Sequence, residues 1–405
     1  MSDVGDGEAG QRDGRPTARA VEARAAEALD AAAAAGTLRT LRAFAGPVTR
    51  RMRLEGREVL MFSSGNYLDL AHHPQVVEAA AAAARDLGCA AAGSRLINGN
   101  LACHEALEAE LAAFFGTEAA LTFGTGYMLN VGVIPALVGQ GDVIVSDALA
   151  HASLIDGARL SRAEVVVVPH SDPDALEEAL RGARGRARRI LVVGDGVYSM
   201  DGDVAPLAAL VALCRRYDAM LLLDDPHGTG TLGGGGRGAA ELAGVLGDVD
   251  VLAGTLGKAL GAFGAFVACS SRVRDLLVNT ARSFIFSCAL APPQIEAARA
   301  ALCLLQAEPW RREALQRNGA RLRQRLGAAR IDTGASTTHI VPVIIGDNAR
   351  TMAACEALLA RGFHAQGIRH PSVPRGTARL RLTVMATHTA EEIDALADAV
   401  VSLVA

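Results

Sequence analysis

From about residue 75 onward the chain alternates between two hydrophobic rhythms. Residues 76–87, 104–115, 176–184 and 207–217 carry apolar positions three and four apart and read as helices packed on one face. Between and after them stand short apolar runs at 119–123, 142–146, 164–169, 189–194, 219–224 and 250–253, of a length that suits buried strands. Strands alternating with helices predict an α/β fold with a mainly parallel sheet covered on both faces. In such sheets ligands bind beyond the carboxyl ends of the strands. The rhythm changes towards both termini. Residues 1–16 are rich in Asp, Glu and Gly and read as disordered, 17–35 as a helix, and 50–62 as a short strand pair. After Pro292 and Pro293 a long helix is expected to about Leu326. Strands at 339–345 and 377–383 and helices at 349–361 and 390–404 follow. The predicted organisation is an N-terminal leader over 1–60, a large α/β domain over 61–292 and a small α+β domain over 293–405.

Composition narrows the class. Half of the 405 residues are apolar and 21% are charged, an ordinary globular balance, and the net charge of −4 argues against a nucleic-acid partner. Cysteines 89, 103, 214, 269, 288, 303 and 355 form no CxxC pair, which points to free thiols in a reducing compartment. No His/Cys/Asp/Glu spacing suggests a metal, and no apolar run is long enough for a membrane span. The first 14 residues lack the basic start and apolar run of a signal peptide, so a cytoplasmic location is expected.

One count changes the picture further. Of the 40 Lys and Arg residues, a single one is lysine, Lys258, in the turn Thr255-Leu256-Gly257-Lys258. An ammonium can lose a proton near neutral pH and attack a carbonyl, whereas a guanidinium cannot. A lone lysine where every other cation is arginine therefore points to an amine kept for chemistry. The strand at 219–224 ends in Asp224-Asp225-Pro226-His227, 34 residues before it. A strand-end Asp and a nearby loop Lys suit pyridoxal phosphate: the lysine binds the aldehyde, and the carboxylate keeps the pyridine nitrogen protonated. Gly228-Thr-Gly-Thr-Leu-Gly233 matches a dinucleotide fingerprint, but the glycines that follow cannot open a helix, so this run reads as a flexible loop. Thr125-Gly126-Tyr127 stands between a strand and an apolar helix, where backbone N–H groups cradle a phosphate and Tyr127 could lie against a ring. His151 follows another strand and could stack on a planar cofactor. His72, His73 and His170 read as surface residues.

These landmarks, with Gly93-Ser94-Arg95-Leu96, His151-Ala152-Ser153, Ser199-Met200-Asp201-Gly202-Asp203, Phe286-Ser287 and Gly376-Thr377-Ala378-Arg379-Leu380-Arg381-Leu382-Thr383, resemble those of the α-oxoamine synthases. These are fold-type I pyridoxal phosphate enzymes, aspartate aminotransferase-like, that join an amino acid to an acyl thioester of CoA or a carrier protein with loss of CO2. The motifs look most like those of the biotin-biosynthesis branch, with alanine and a pimeloyl-type thioester as the implied pair. Glycine with a short acyl-CoA, or a specialised-metabolite donor, comes second, and a pyridoxal phosphate aminotransferase or lyase is the remoter alternative. The resemblance implies that Lys258 binds the cofactor and then serves as base and acid. It places Asp224 on the pyridine nitrogen, His227 on the ring hydroxyl and His151 on the ring face. Thr125, Gly126, Tyr127 and Thr255 would hold the phosphate and ring edge. Ser199 would lie near substrate, and Arg381, helped by Asn66, would bind the substrate carboxylate. A homodimer is implied, with Ser287 supplied by the partner subunit. The chain departs from the pattern at Gly65 (Asn in the family), Asp69 (Gly), Asp195 (Glu), Pro226 (Ala or Ser) and Cys288 (Thr).

Overall fold

The computed structural model describes residues 18–404, so the stretch expected to be disordered, 1–16, lies outside the described residues. The chain opens with helix α1 (Ala18–Ala34) and three short strands, β1 (Phe44–Ala45), β2 (Arg51–Leu54) and β3 (Arg57–Met61). Helices α2 (Pro74–Leu87) and α3 (Ala102–Phe115) lead into the main sheet. Its first strands and helices are β4 (Ala119–Phe123), α4 (Gly126–Leu137), β5 (Val143–Asp147), α5 (Ala152–Ser161) and β6 (Glu164–Val168). Then come α6 (Pro173–Arg184), β7 (Ile190–Asp195), α7 (Leu207–Arg216), β8 (Met220–Asp224) and the short α8 (Ala239–Leu242). Strands β9 (Val251–Thr255) and β10 (Ala265–Cys269) complete it. Spatial order is β4-β10-β9-β8-β7-β5-β6. The strands run parallel except β10, which is antiparallel to both neighbours.

Alternation along these strands divides the core. On β4, β9 and β10, Leu121, Val251, Ala253, Ala265 and Val267 pack with α4 and α5, while the intervening Ala120, Leu252, Phe266 and Ala268 face α2, α3 and the later helices. Both faces being covered explains why these runs are apolar throughout. Because β10 reverses direction and β4 does not, the carboxyl ends of β4, β9, β8, β7 and β5 share one rim. Asp147, Asp195, Asp224, Thr125 and Lys258 stand at or just beyond it.

Helices α9 (Ser271–Thr280) and α10 (Arg282–Ile285) follow. The single long helix expected after Pro292 is two, α11 (Pro292–Ala307) and α12 (Trp310–Ala328). Pro309 has no N–H to continue the helix and disfavours helical backbone at Glu308, so the chain breaks there. The remaining elements are β11 (Ile340–Gly346), α13 (Asn348–Ala360), β12 (Phe363–His364), β13 (Gln366–Ile368), β14 (Ala378–Thr383) and α14 (Ala390–Val404). Strands β11, β14 and β13 form a second sheet, and β12 pairs in parallel with β3, tying the N-terminal strands to the C-terminal part of the chain. Among the described residues no helix is long and apolar enough to cross a membrane.

Candidate active site

Asp224 closes β8 on the rim and is buried. Its Oδ2 accepts a 2.7 Å hydrogen bond from Asn130 Nδ2 on α4. Burial raises its pKa, opposed by the Asn130 bond and then by Lys258 and His151. Its register partner on β7 is Asp195, also buried, whose Oδ2 accepts from the His151 backbone N–H at 3.0 Å. Burial, and then the Asp224 charge, push the Asp195 carboxyl well above the usual range. Two enclosed carboxyl groups side by side call for a cation between or beside them. A protonated pyridine nitrogen beside Asp224 would meet that demand.

Lys258 stands in the turn after β9. Thr255 shapes this turn: its Oγ1 donates to the Gly264 carbonyl at 3.0 Å and accepts from the Gly257 N–H at 3.1 Å. Burial lowers the lysine pKa to about 8, against the pull of Asp224. Lys258 Nζ lies 3.2 Å from His227 Nε2, and His227 Nδ1 lies 2.7 Å from the phenol oxygen of Tyr67. Burial first, then the charges of Lys258 and Arg381, hold His227 well below the ordinary histidine range, so it is neutral.

His151 caps α5. Its Nδ1 accepts from the Ser153 N–H at 3.3 Å and faces Ser153 Oγ at 2.7 Å. Ser153 Oγ in turn accepts from Asn130 Nδ2 at 2.9 Å, so its own proton goes to His151 Nδ1. The ring therefore carries its proton on Nε2. It is open to solvent on one side yet enclosed enough elsewhere for desolvation to lower its pKa, with Asp224 opposing. One amide thus orients both Asp224 and His151. Neither Asn130 nor Tyr67 stood out in the sequence, and Ser153 did so only as a neighbour of His151.

At the end of β4, Thr125 caps α4 and accepts from the Met128 N–H at 3.1 Å, keeping its hydroxyl proton for a ligand. No heavy atom lies within 4 Å of where a Gly126 Cβ would sit, so the start of α4 is open on that side. The Tyr127 phenol bonds Asp156 on α5, and what Tyr127 offers an anion is its backbone N–H. An amine at Lys258, a carboxylate at Asp224, an open imidazole at His151 and a helix N-terminus make a donor set that fits the aldehyde, pyridine nitrogen, ring and phosphate of pyridoxal phosphate.

On the far side, Arg381 on β14 donates from Nε to the Ser199 carbonyl, which places both residues together. Its neighbour Arg379 is spent on Asp201 and the carbonyls of Thr377 and Met200. Asn66, expected beside the substrate carboxylate, is instead occupied within its own turn. Its Nδ2 donates to Val48 O and Asp69 Oδ1, each at 3.1 Å, and its Oδ1 accepts from the Leu70 and Ala71 N–H groups. Asp69 takes the left-handed conformation there (φ 57°), which Asp tolerates, and is held further by Thr387. Gly65 is the residue that meets the lysine: a Cβ there would lie 3.5 Å from Lys258 Cγ. Ser287 lines a small cavity with Phe123, Gly124 and Met128, behind the Thr125 turn.

Two further expectations are corrected. The glycine run 228–238 is not a loose loop but is wound around the buried Asp225 carboxylate. Gly228 N–H and Ala239 N–H bond Asp225 at 2.9 and 2.7 Å, and a Cβ at Gly228 or Gly238 would lie 2.3 or 2.1 Å from its oxygens. His170 is not a free surface residue. Its Nδ1 bonds Asp147 and its Nε2 bonds Asp203, each at 3.0 Å, and these partners raise its pKa to about 10. The folded state binds that proton more tightly than the unfolded chain, whose histidine titrates near 6.5. The stabilisation is therefore full below about pH 6.5 and is lost as pH rises through about 10. His170→Gln is expected to destabilise the fold by about 2 kcal/mol near neutrality, allowing for partial exposure. Urea unfolding should show that gap closing above about pH 10.

The profile of the family "Aminotransferase class I and II" matches residues 57–400. The chain is 52% identical to 8-amino-7-oxononanoate synthase of Geobacter sulfurreducens over 361 residues, covering 89% of this chain and 92% of that one. It is 50% identical to the synthase of the same name from Geobacter metallireducens over 370 residues, covering 91% and 94%. Among solved structures, Sphingomonas wittichii serine palmitoyltransferase superposes with a TM-score of 0.87 at 32% identity, over 95% of this chain and 97% of that one. With Lys258, Asp224, His227 and His151 gathered on the rim of a seven-stranded sheet, the chain belongs to the class I and II aminotransferase family, on its α-oxoamine synthase branch.

Proposed function

We propose that the chain condenses L-alanine with a pimeloyl thioester, releasing CO2 and the free thiol and giving 8-amino-7-oxononanoate. The observation that carries this is the Lys258–Asp224–His227–His151 cluster on a chain about half identical to synthases of that name. Pyridoxal phosphate, when bound, supplies an aldehyde for the amino group and a ring that accepts the electron pair left at the α-carbon. Asp224, steadied by Asn130, keeps the ring nitrogen protonated. Neutral His151 covers the ring without adding charge, and the α4 N-terminus takes the phosphate. Lys258, released when the amino acid takes its place, removes the α-proton and later returns one. Its low pKa leaves a fraction unprotonated near neutrality. Arg381, its Nε fixed on Ser199, presents its remaining N–H groups to the substrate carboxylate.

The large unit 61–292 carries the lysine and the small unit 293–405 carries Arg381, and the Arg381–Ser199 hydrogen bond links the two. A homodimer completes the reading, with Ser287 donated across the interface. Exposed Leu96, Ile97, Phe263 and Phe286 supply apolar surface for it. The acyl carrier is CoA or a carrier protein, and the location is the cytoplasm.

The test is a matrix of alanine, glycine and serine against pimeloyl, acetyl and palmitoyl thioesters, read by free thiol. Alanine with the pimeloyl thioester should lead. Thiol release without an amino acid, or transamination alone, would overturn the assignment. Within that assay Arg381→Ala should raise the KM for the amino acid at least about tenfold while leaving that for the thioester within about twofold. Gly65→Asn adds a polar side chain beside Lys258 and should tighten alanine binding. If it excludes the native amino acid instead, Gly65 makes room for a larger side chain than methyl.

A further inference from the structure

The lysine is backed by a chain of buried groups that the reaction as described does not use. Tyr67 is buried to 1% exposure, and its phenol oxygen lies 2.7 Å from His227 Nδ1, whose other nitrogen faces Lys258 Nζ at 3.2 Å. Among the described residues the contact with His227 is the phenol's one hydrogen bond, with the positive charge of Arg381 also felt at the phenol. A buried phenol proton needs an acceptor, and the one within reach is His227 Nδ1. His227 Nδ1 must then accept, and its one proton sits on Nε2.

We propose that Tyr67 is a positioning residue that fixes His227 as a hydrogen-bond donor towards Lys258, which favours the free-amine form of the lysine. The alternative proton arrangement has a charged Lys258 donating to Nε2 and the imidazole proton moved to Nδ1. Tyr67 would then face the Nδ1–H donor, and its own proton would be left buried without an acceptor. A stranded buried donor of this kind is disfavoured. His339, whose ring centroid lies 4.1 Å from that of Tyr67, holds the phenol in place from behind and makes no hydrogen bond with either ring nitrogen. The groups facing His227 and Lys258 are thus Tyr67, Arg381, His339, His151, Asp224, Asp195 and Asp225. The acids oppose deprotonation of the lysine. Fixing the imidazole as a donor offsets them without adding a charge. The same donor, once cofactor is bound, is what an ionised ring hydroxyl needs.

The proposal deepens the reading of Lys258 as the reactive amine, and its test does not depend on turnover. Because Lys258 is the only lysine, reductive methylation of the full-length, cofactor-free chain with labelled formaldehyde gives one lysine signal, which can be titrated by NMR. Circular dichroism and thermal unfolding check that wild type and variant are folded. Tyr67→Phe should raise the Lys258 pKa by about one unit, the size expected when a stranded donor no longer penalises the charged state. In wild type, nitrogen shifts of the His227 ring should show the proton on Nε2, a measurement that needs no variant. A His227 proton on Nδ1, or a lysine pKa unmoved in folded Tyr67→Phe, would overturn the proposal. Neither result touches the cofactor reading, which borohydride trapping on Lys258 tests by itself.

Discussion

Lys258→Ala is expected to lower turnover by on the order of 10⁴-fold or more, because the same amine anchors the cofactor and moves the α-proton. Other parts of the site are untouched by this change. Asp224, His227, His151 and the α4 N-terminus remain, so the variant should still bind pyridoxal phosphate but without the yellow of the lysine-bound form. In wild type, borohydride should bleach that colour and leave one tagged lysine peptide, since the chain has no other lysine to compete. A tag absent from the peptide containing Lys258, or a variant as yellow and as active as wild type, would refute the assignment.

Asp224→Asn should cost about a hundredfold or more in turnover while leaving the fold intact. The carboxylate is isosterically replaced, but the charge that holds the ring nitrogen protonated is gone. Asp225→Asn is the matched control. Both oxygens of Asp225 accept backbone N–H bonds from Gly228 and Ala239 at the centre of the glycine run. Its replacement should destabilise that knot by about 1–3 kcal/mol and slow turnover far less. Parallel kinetics and thermal unfolding of the two variants separate the roles. Equal losses of turnover would mean that the wrong acid had been assigned to the ring.

What could be read from the sequence was what is local or counted. The strand ends that carry Asp224 and Lys258 were visible because apolar runs of strand length are bounded by polar turns, and the lysine because it is unique. Other parts were not legible. Strand β10 is Ala-Phe-Val-Ala-Cys, short, only weakly β-branched and reversed between two parallel-running strands, so neither its residues nor the helix–strand alternation announced it. Tyr67 acts on His227 from 160 residues away, and Asn130 reaches Asp224 across 94. Such contacts exist only once the sheet has brought its strand ends together. His170 resembled a surface histidine because its two acid partners lie 23 and 33 residues away, Asp147 at the end of β5 and Asp203 in the loop before α7. Asn66 misled in the other direction. Its place beside the vacant family position suggested a substitute for that side chain, whereas the turn it closes had already taken every donor and acceptor it has.

The central claim is that this site joins an amino acid to an acyl group with loss of the amino acid's carboxylate. It is tested most directly with alanine labelled in the carboxyl carbon, incubated with the holoenzyme and a pimeloyl thioester. Label should leave as CO2 in a one-to-one ratio with free thiol, and the amino ketone formed should carry none. Label retained in the product, or appearing in pyruvate with no thiol released, would contradict it.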